Sequence, residues 1–388
     1  MQFNTAPNQP IIEKTWWGRF TSQPHQMFFS SAIFFALLVM TLTLFTFIGI
    51  GNFDFSLIHG FGLNYALFTN AFLGFLITVM PKYNSTAVIA KNKYIYSWIF
   101  YQLGLIIALF VNELFGKIIV SFIIFYFVKL FYEIIKNANA IIKEDSIYIN
   151  SILFFGGILL LIEALFSTNL SNLIFFAYLL SMVFIISLRM IPAFFFSFTR
   201  VPMWQLPKYV KPISILLLIT TGFALHTNNS IFISVTSFLG SIFFGFVIYK
   251  LNLFRKVPAI LYILSIALFW FEVAYICLFL ENIFIEYSFK LSFHIFALGF
   301  VTTLLIGFGS RVSLGHAVPA QPIVADSFTK LLFVLTQIVL FLRVMTSIGF
   351  ILNSNIYTMF LHASSTLWIL LFILWLFKFG KYLLRIKA

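Results

Sequence analysis

Apolar residues run along this chain in stretches of 15 to 24, separated by short polar breaks, and twelve of these stretches are long enough to cross a bilayer. The pattern predicts helices at about 27–50, 57–80, 94–112, 115–135, 147–166, 170–189, 212–226, 230–249, 258–280, 289–309, 330–352 and 356–379. The expected fold is therefore all-α, a polytopic membrane protein of twelve transmembrane helices. It divides into a polar N-terminal segment 1–26, a helix bundle 27–379 and a basic tail 380–388, within one membrane domain over 1–388. The longest polar interruptions, 82–93, 136–146, 189–212 and 309–329, read as loops of that domain. The first apolar run lacks an obvious small-residue cleavage site, so it reads as a span and not as a signal peptide.

Composition agrees: 62% of residues are hydrophobic and 9% charged, far from the balance of a soluble domain. The net charge of +13 is a sidedness signal. With the N-terminus inside, 21 of the 24 Lys and Arg fall in cytoplasmic segments, Lys117 and Lys290 fall outside, and Arg343 stays within the membrane. Both termini are expected to be cytoplasmic. Basic residues scattered over short loops make no nucleic-acid-binding face. The single cysteine, Cys277, excludes a disulfide framework and a thiolate cluster within the chain. No phosphate-binding loop, dinucleotide fingerprint, nucleophile elbow or covalent haem motif is present.

The candidate chemistry lies in the polar residues and their depth. The tenth helix carries His294 at its start and His316 just past its end, ~33 Å apart at ~1.5 Å per residue, so the two belong to different sites. His59, His226, His294 and His362 share the outer side, and His59 and His294 lie at comparable depth. Two imidazoles on neighbouring helices can hold a haem iron axially, or one alone can leave a position open for a small gas. Alternatively each bonds a backbone carbonyl or lines a polar gap. Arg343 needs an anion, either a haem propionate or one of the intramembrane carboxylates Glu163 and Glu272; Glu272 is also a candidate proton relay. On the cytoplasmic side His25, Arg189, Arg311 and His316 form a second expected cluster. Pro192 is expected to end the sixth helix near Arg189, both arginines suit headgroup anchoring, and the imidazoles suit copper.

The block from His294 through Gly299 to Arg311-Val-Ser-Leu-Gly-His316, the Arg189-Met-Ile-Pro192 segment, Gly74 to Thr78 and Pro81 after His59, and the closing Leu367-Trp-Ile to Lys378-Phe-Gly-Lys-Tyr together resemble the NnrS family over nearly the whole chain. That resemblance implies a bacterial inner (cytoplasmic) membrane protein containing haem b and copper. It also implies a role in resistance to nitric oxide and nitrosative stress, alongside denitrification, with nitric oxide as the small-molecule partner and an electron donor where redox chemistry occurs. It attaches no reaction to the chain. Relatives carry a His-x-His-Glu pattern on the second helix, whereas this chain reads His59-Gly-Phe61-Gly62, which puts one metal of the family in question. Histidines entering helices two and ten are also similar, by analogy, to the low-spin haem site of haem–copper oxidases. The further histidines of a binuclear centre are missing. A transporter or exporter of a small solute or metal complex is the competing reading, since twelve helices suit that class, although no internal repeat is evident in the sequence.

A reporter fused after Ala388 or within 136–146 should behave as cytoplasmic, and one at Asn228 as external; an external signal at Ala388 would reverse the assigned orientation.

Overall fold

The computed structural model describes residues 15–285, 288–352 and 355–385; the first fourteen residues of the N-terminal segment and the last three of the basic tail lie outside them. Twelve helices are long and apolar enough to cross a membrane. They are α1 (Pro24–Phe47), α2 (Ser56–Tyr83), α3 (Lys91–Phe110), α4 (Glu113–Lys136), α5 (Glu144–Phe166), α6 (Ser171–Thr199), α7 (Val210–Thr227), α8 (Ser230–Leu251), α9 (Ala259–Phe284), α10 (Leu291–Gly315), α11 (Ser327–Ile351) and α12 (Ile356–Leu384). No strand occurs among the described residues. All twelve expected spans are present.

Each helix packs against the next, and α12 packs back on α1, so the spans close into a ring. A short helix, Trp16–Phe20, locks the closure: Trp16 Nε1 donates to the carbonyl of Leu384 at 2.8 Å and Arg19 Nε to that of Arg385 at 3.3 Å. These bonds take up carbonyls that the end of α12 would otherwise leave bare.

Three helices stand apart in burial. The apolar windows of α2, α6 and α10 are 83, 78 and 67% buried, against 33 to 56% for the other nine, so these three line the inside of the ring. The same three are wound in the wider π form over Ser56–Thr69, Ile174–Leu180 and Ile295–Thr302. At the end of each wide stretch a hydroxyl bonds the carbonyl five residues back: Thr69 to Asn64, Ser181 to Phe176, and Thr302 to Ala297. Side chains that satisfy displaced carbonyls make such winding tolerable in a dry interior. Every fourth span thus shares burial and winding, a threefold periodicity of structure that the sequence does not display as a repeat.

Glycines set how closely some helices approach. A Cβ at Gly116 would lie 2.1 Å from the backbone nitrogen of Ala108, so α3 and α4 touch backbone to backbone there. Gly62 makes room for Val39 and Gly299 for Trp270, which gives both positions a packing role. Proline behaves otherwise than expected: α6 continues through Pro192 to Thr199, so Arg189 lies inside a helix and not at its end. Neighbouring helices support a proline-containing turn in a membrane bundle.

Gly116→Ala should lower stability by ~1–3 kcal/mol, because the obstructing atoms are backbone and cannot rotate away. A thermal midpoint equal to wild type in the purified protein would contradict that contact.

Candidate functional site

His59 lies within the π-wound part of α2 and His294 directly precedes that of α10. Their rings face each other across the two helices with centroids 6.2 Å apart. Imidazoles this close on neighbouring helices could both reach one metal ion, with nitrogen–metal bonds of ~2.0–2.1 Å. His294 Nδ1 is 2.7 Å from the carbonyl of Lys290; as donor it leaves Nε2 with a free lone pair. His59 stacks on Phe55 at 5.0 Å, and its buried Nδ1 has no partner.

Arg343 enters the same region from α11. It is 6% exposed and acts electrostatically on both imidazoles. Its guanidinium donates to Ser347 Oγ at 2.9 Å and to the carbonyl of Phe289 at 2.9 Å, both neutral, and lies over the Phe289 ring. Neither carboxylate considered from the sequence is its partner. Glu163 receives Lys117 at 2.6 Å, and Lys117 also reaches Glu113 at 2.6 Å, while Glu272 keeps a buried Oε2 without a partner. No carboxylate hydrogen-bonds Arg343 among the described residues; the anion whose field reaches it is the buried Glu281, which accepts from the backbone N–H of Ser292. His226 is exposed at the end of α7, as its rim position implied.

Lys117, which reads as an outer-loop residue in the sequence, is a buried part of α4. With Glu163, Glu113, Asp54 and Asn64 it lines a cavity of about 430 Å³ beside α2. His59 does not line it; Gly60 does, and a Cβ at Gly60 would meet open space. Gly60 thus borders this cavity, and Gly62 serves the α1–α2 contact.

At the opposite end of α10, which runs unbroken from Leu291 to Gly315, His316 meets His25 with ring centroids 4.7 Å apart. The expected arginines are engaged elsewhere. Arg189 forms a 2.7 Å ion pair with Asp145, which also receives Lys211, and stacks on Tyr83 at 3.8 Å. Arg311 lies over Phe194 at 4.0 Å. Headgroup anchoring gives way, for Arg189, to a structural ion pair. Arg385 and Lys82 take their places beside the imidazoles. Burial, with these two charges adding to it, pushes the His316 imidazole down to about 4. Two cations act on the imidazole pair, which is the only donor set the expected copper site retains among the described residues. Among the described residues no group of three His, Cys, Asp or Glu has metal-site geometry.

A ring of twelve spanning helices with paired imidazoles at both ends of one inner helix defines a multi-pass membrane protein with interior polar sites. The family model described as NnrS protein matches residues 19–387, and the chain belongs to the NnrS family. A search of curated proteins finds no match.

Asp145→Asn should cost ~1–3 kcal/mol, below the ~3–5 of a fully buried pair, because Arg189 and Lys211 keep partial access to water. Thermal unfolding checks it: an unchanged midpoint would make the pair ornamental.

Proposed function

We propose that this protein carries haem b between His59 and His294, with Arg343 as counter-ion to a propionate, and handles nitric oxide in the nitrosative stress response. The observation that carries this reading is the conjunction of a close imidazole pair with a buried guanidinium hydrogen-bonded only to neutral groups. Glu281 acts on Arg343 without hydrogen-bonding it, and a haem propionate would give the buried guanidinium a directly bonded anion. Haem bound there supplies one-electron exchange and affinity for a small diatomic gas.

The chain's own residues divide the work. Lys290 fixes the ring of His294 through its carbonyl, so His294 is the firmly held ligand. His59 lacks such a bond and would be the less firmly held of the two ligands. Phe55, stacked on His59, keeps water from that face. An electron-donating partner would complete a redox role. The bacterial inner membrane, with both termini cytoplasmic, is the location this reading assigns.

The test is the absorption spectrum of detergent-purified protein, oxidised and dithionite-reduced. A Soret band should appear, with haem content lowered about 10–100-fold in affinity by His294→Ala, less by His59→Ala, and not at all by His226→Ala. Equal haem occupancy in wild type and His294→Ala would overturn the proposal.

A further inference from the structure

Where α1 begins and α12 ends, polar groups without hydrogen-bond partners lie inside the protein. His25 is 2% exposed and its Nδ1 has no partner. Arg385, which gives one terminal nitrogen to the carbonyl of His316 at 3.1 Å, keeps a buried Nε unpartnered. Gln26, next along α1, is fully buried with an unpartnered Nε2. Lys82 contributes a second positive charge acting on both imidazoles. No carboxylate among the described residues forms a salt bridge with Arg385 or Lys82.

Arg385 is held for this position. It ends α12 with φ +48°, a left-handed conformation that usually falls to glycine. The bond from Arg19 to its own carbonyl and that from Trp16 to Leu384 fix the turn. A strained arginine with an idle donor is a preorganised half of a recognition site.

We infer that this corner binds a phosphoryl oxyanion, the headgroup of an anionic phospholipid. An oxyanion accepts hydrogen bonds at every oxygen and brings a negative charge that no described residue bonds to Arg385 or Lys82; a guanidinium fork matches its geometry. A metal cation would use the imidazole lone pairs but would face both positive charges. Depth separates a lipid from a free ion. Trp16 and Trp17 are 47% and 45% exposed on the adjoining short helix, and tryptophans partly exposed at the end of spanning helices mark the level of the headgroups. Basic pockets between helices at that level are where anionic headgroups bind. The site stands independently of the haem reading, since it lies at the other end of α10.

The full-length protein in neutral detergent is titrated with phosphatidylglycerol, with phosphatidylcholine and with inorganic phosphate, reading the thermal midpoint and the retained lipid by native mass spectrometry. Phosphatidylglycerol should raise the midpoint and stay bound where phosphatidylcholine does not, and Arg385→Gln should weaken its binding about tenfold. Inorganic phosphate giving the same Arg385-dependent rise would support the oxyanion site and assign it to a free ion. Lys82→Gln is the second variant, on an exposed side chain, and should weaken binding in the same direction. Equal phosphatidylglycerol binding by wild type and both variants overturns the proposal. So does a His25-dependent rise in midpoint with Cu(I) or Zn(II) that anionic lipid fails to produce.

Discussion

The constraint on which this structure depends is the cost of a polar group that finds no partner in a dry interior. Most buried polar side chains meet it locally: serine and threonine hydroxyls bond carbonyls of their own helix, and Asn70 and Gln102 exchange hydrogen bonds across α2 and α3. Charged groups meet it in pairs, Lys117 with Glu113 and Glu163, and Asp145 with Arg189 and Lys211. Against that background the exceptions are informative. Among them, His59, His25 and the side chain of Arg385 keep idle nitrogens, and Arg343 hydrogen-bonds only neutral groups. These four fall at the two ends of α10.

The π winding of the inner helices belongs to the same constraint. A wide turn displaces carbonyls from their usual donors, and the hydroxyls of Thr69, Ser181 and Thr302 take three of them up. Such turns cost free energy and are found where a helix must aim side chains that regular winding would turn elsewhere. In α2 the wide stretch contains His59, and in α10 it begins one residue after His294, so the imidazole pair rests on irregular backbone. In α6 the corresponding stretch offers Phe176 and Tyr178 instead, and its neighbourhood is filled by aromatic rings, with Phe176 against Phe293 and Phe296. The three inner helices share a shape, and only two of them carry an imidazole at this end.

What could be read from the sequence was what depends on one dimension. Span number follows from apolar run length, and the depths of His59, His294, His25 and His316 follow from counting residues along helices, so which histidines share an end of the bundle was legible. Partnership across the bundle was not. Glu163 and Glu272 looked equivalent as counter-ions to Arg343, but helix rotation sends one to Lys117 and leaves the other against Gly245. Lys117 counts with the outer loops in the charge alternation although the span predicted at 115–135 contains it, and the spacing of four residues to Glu113 agrees with its place in a helix. Arg385 and Asp145 gave no sign, since a basic tail and a loop acid read as topology until the chain ends are brought together. Pro192 misled because the rule that proline ends helices describes an isolated helix, and here the bundle carries α6 past it.

The two histidine pairs show how surroundings, and not residue type, decide chemistry. The pair at 6.2 Å is the proposed seat of a haem iron, with Arg343 acting on both rings. The pair at 4.7 Å has Arg385 and Lys82 acting on it, and no described carboxylate forms a salt bridge with either cation. On these two proposals each end would take a ligand that brings its own negative charge, and the first a metal as well. The same α10 backbone holds both arrangements, and its glycines at 299, 307 and 309 seat Trp270, Leu264 and Trp375, so the helix is clamped along its length by α9 and α12. A rod clamped in this way keeps each imidazole in register with its partner, which is what a fixed ligand spacing requires.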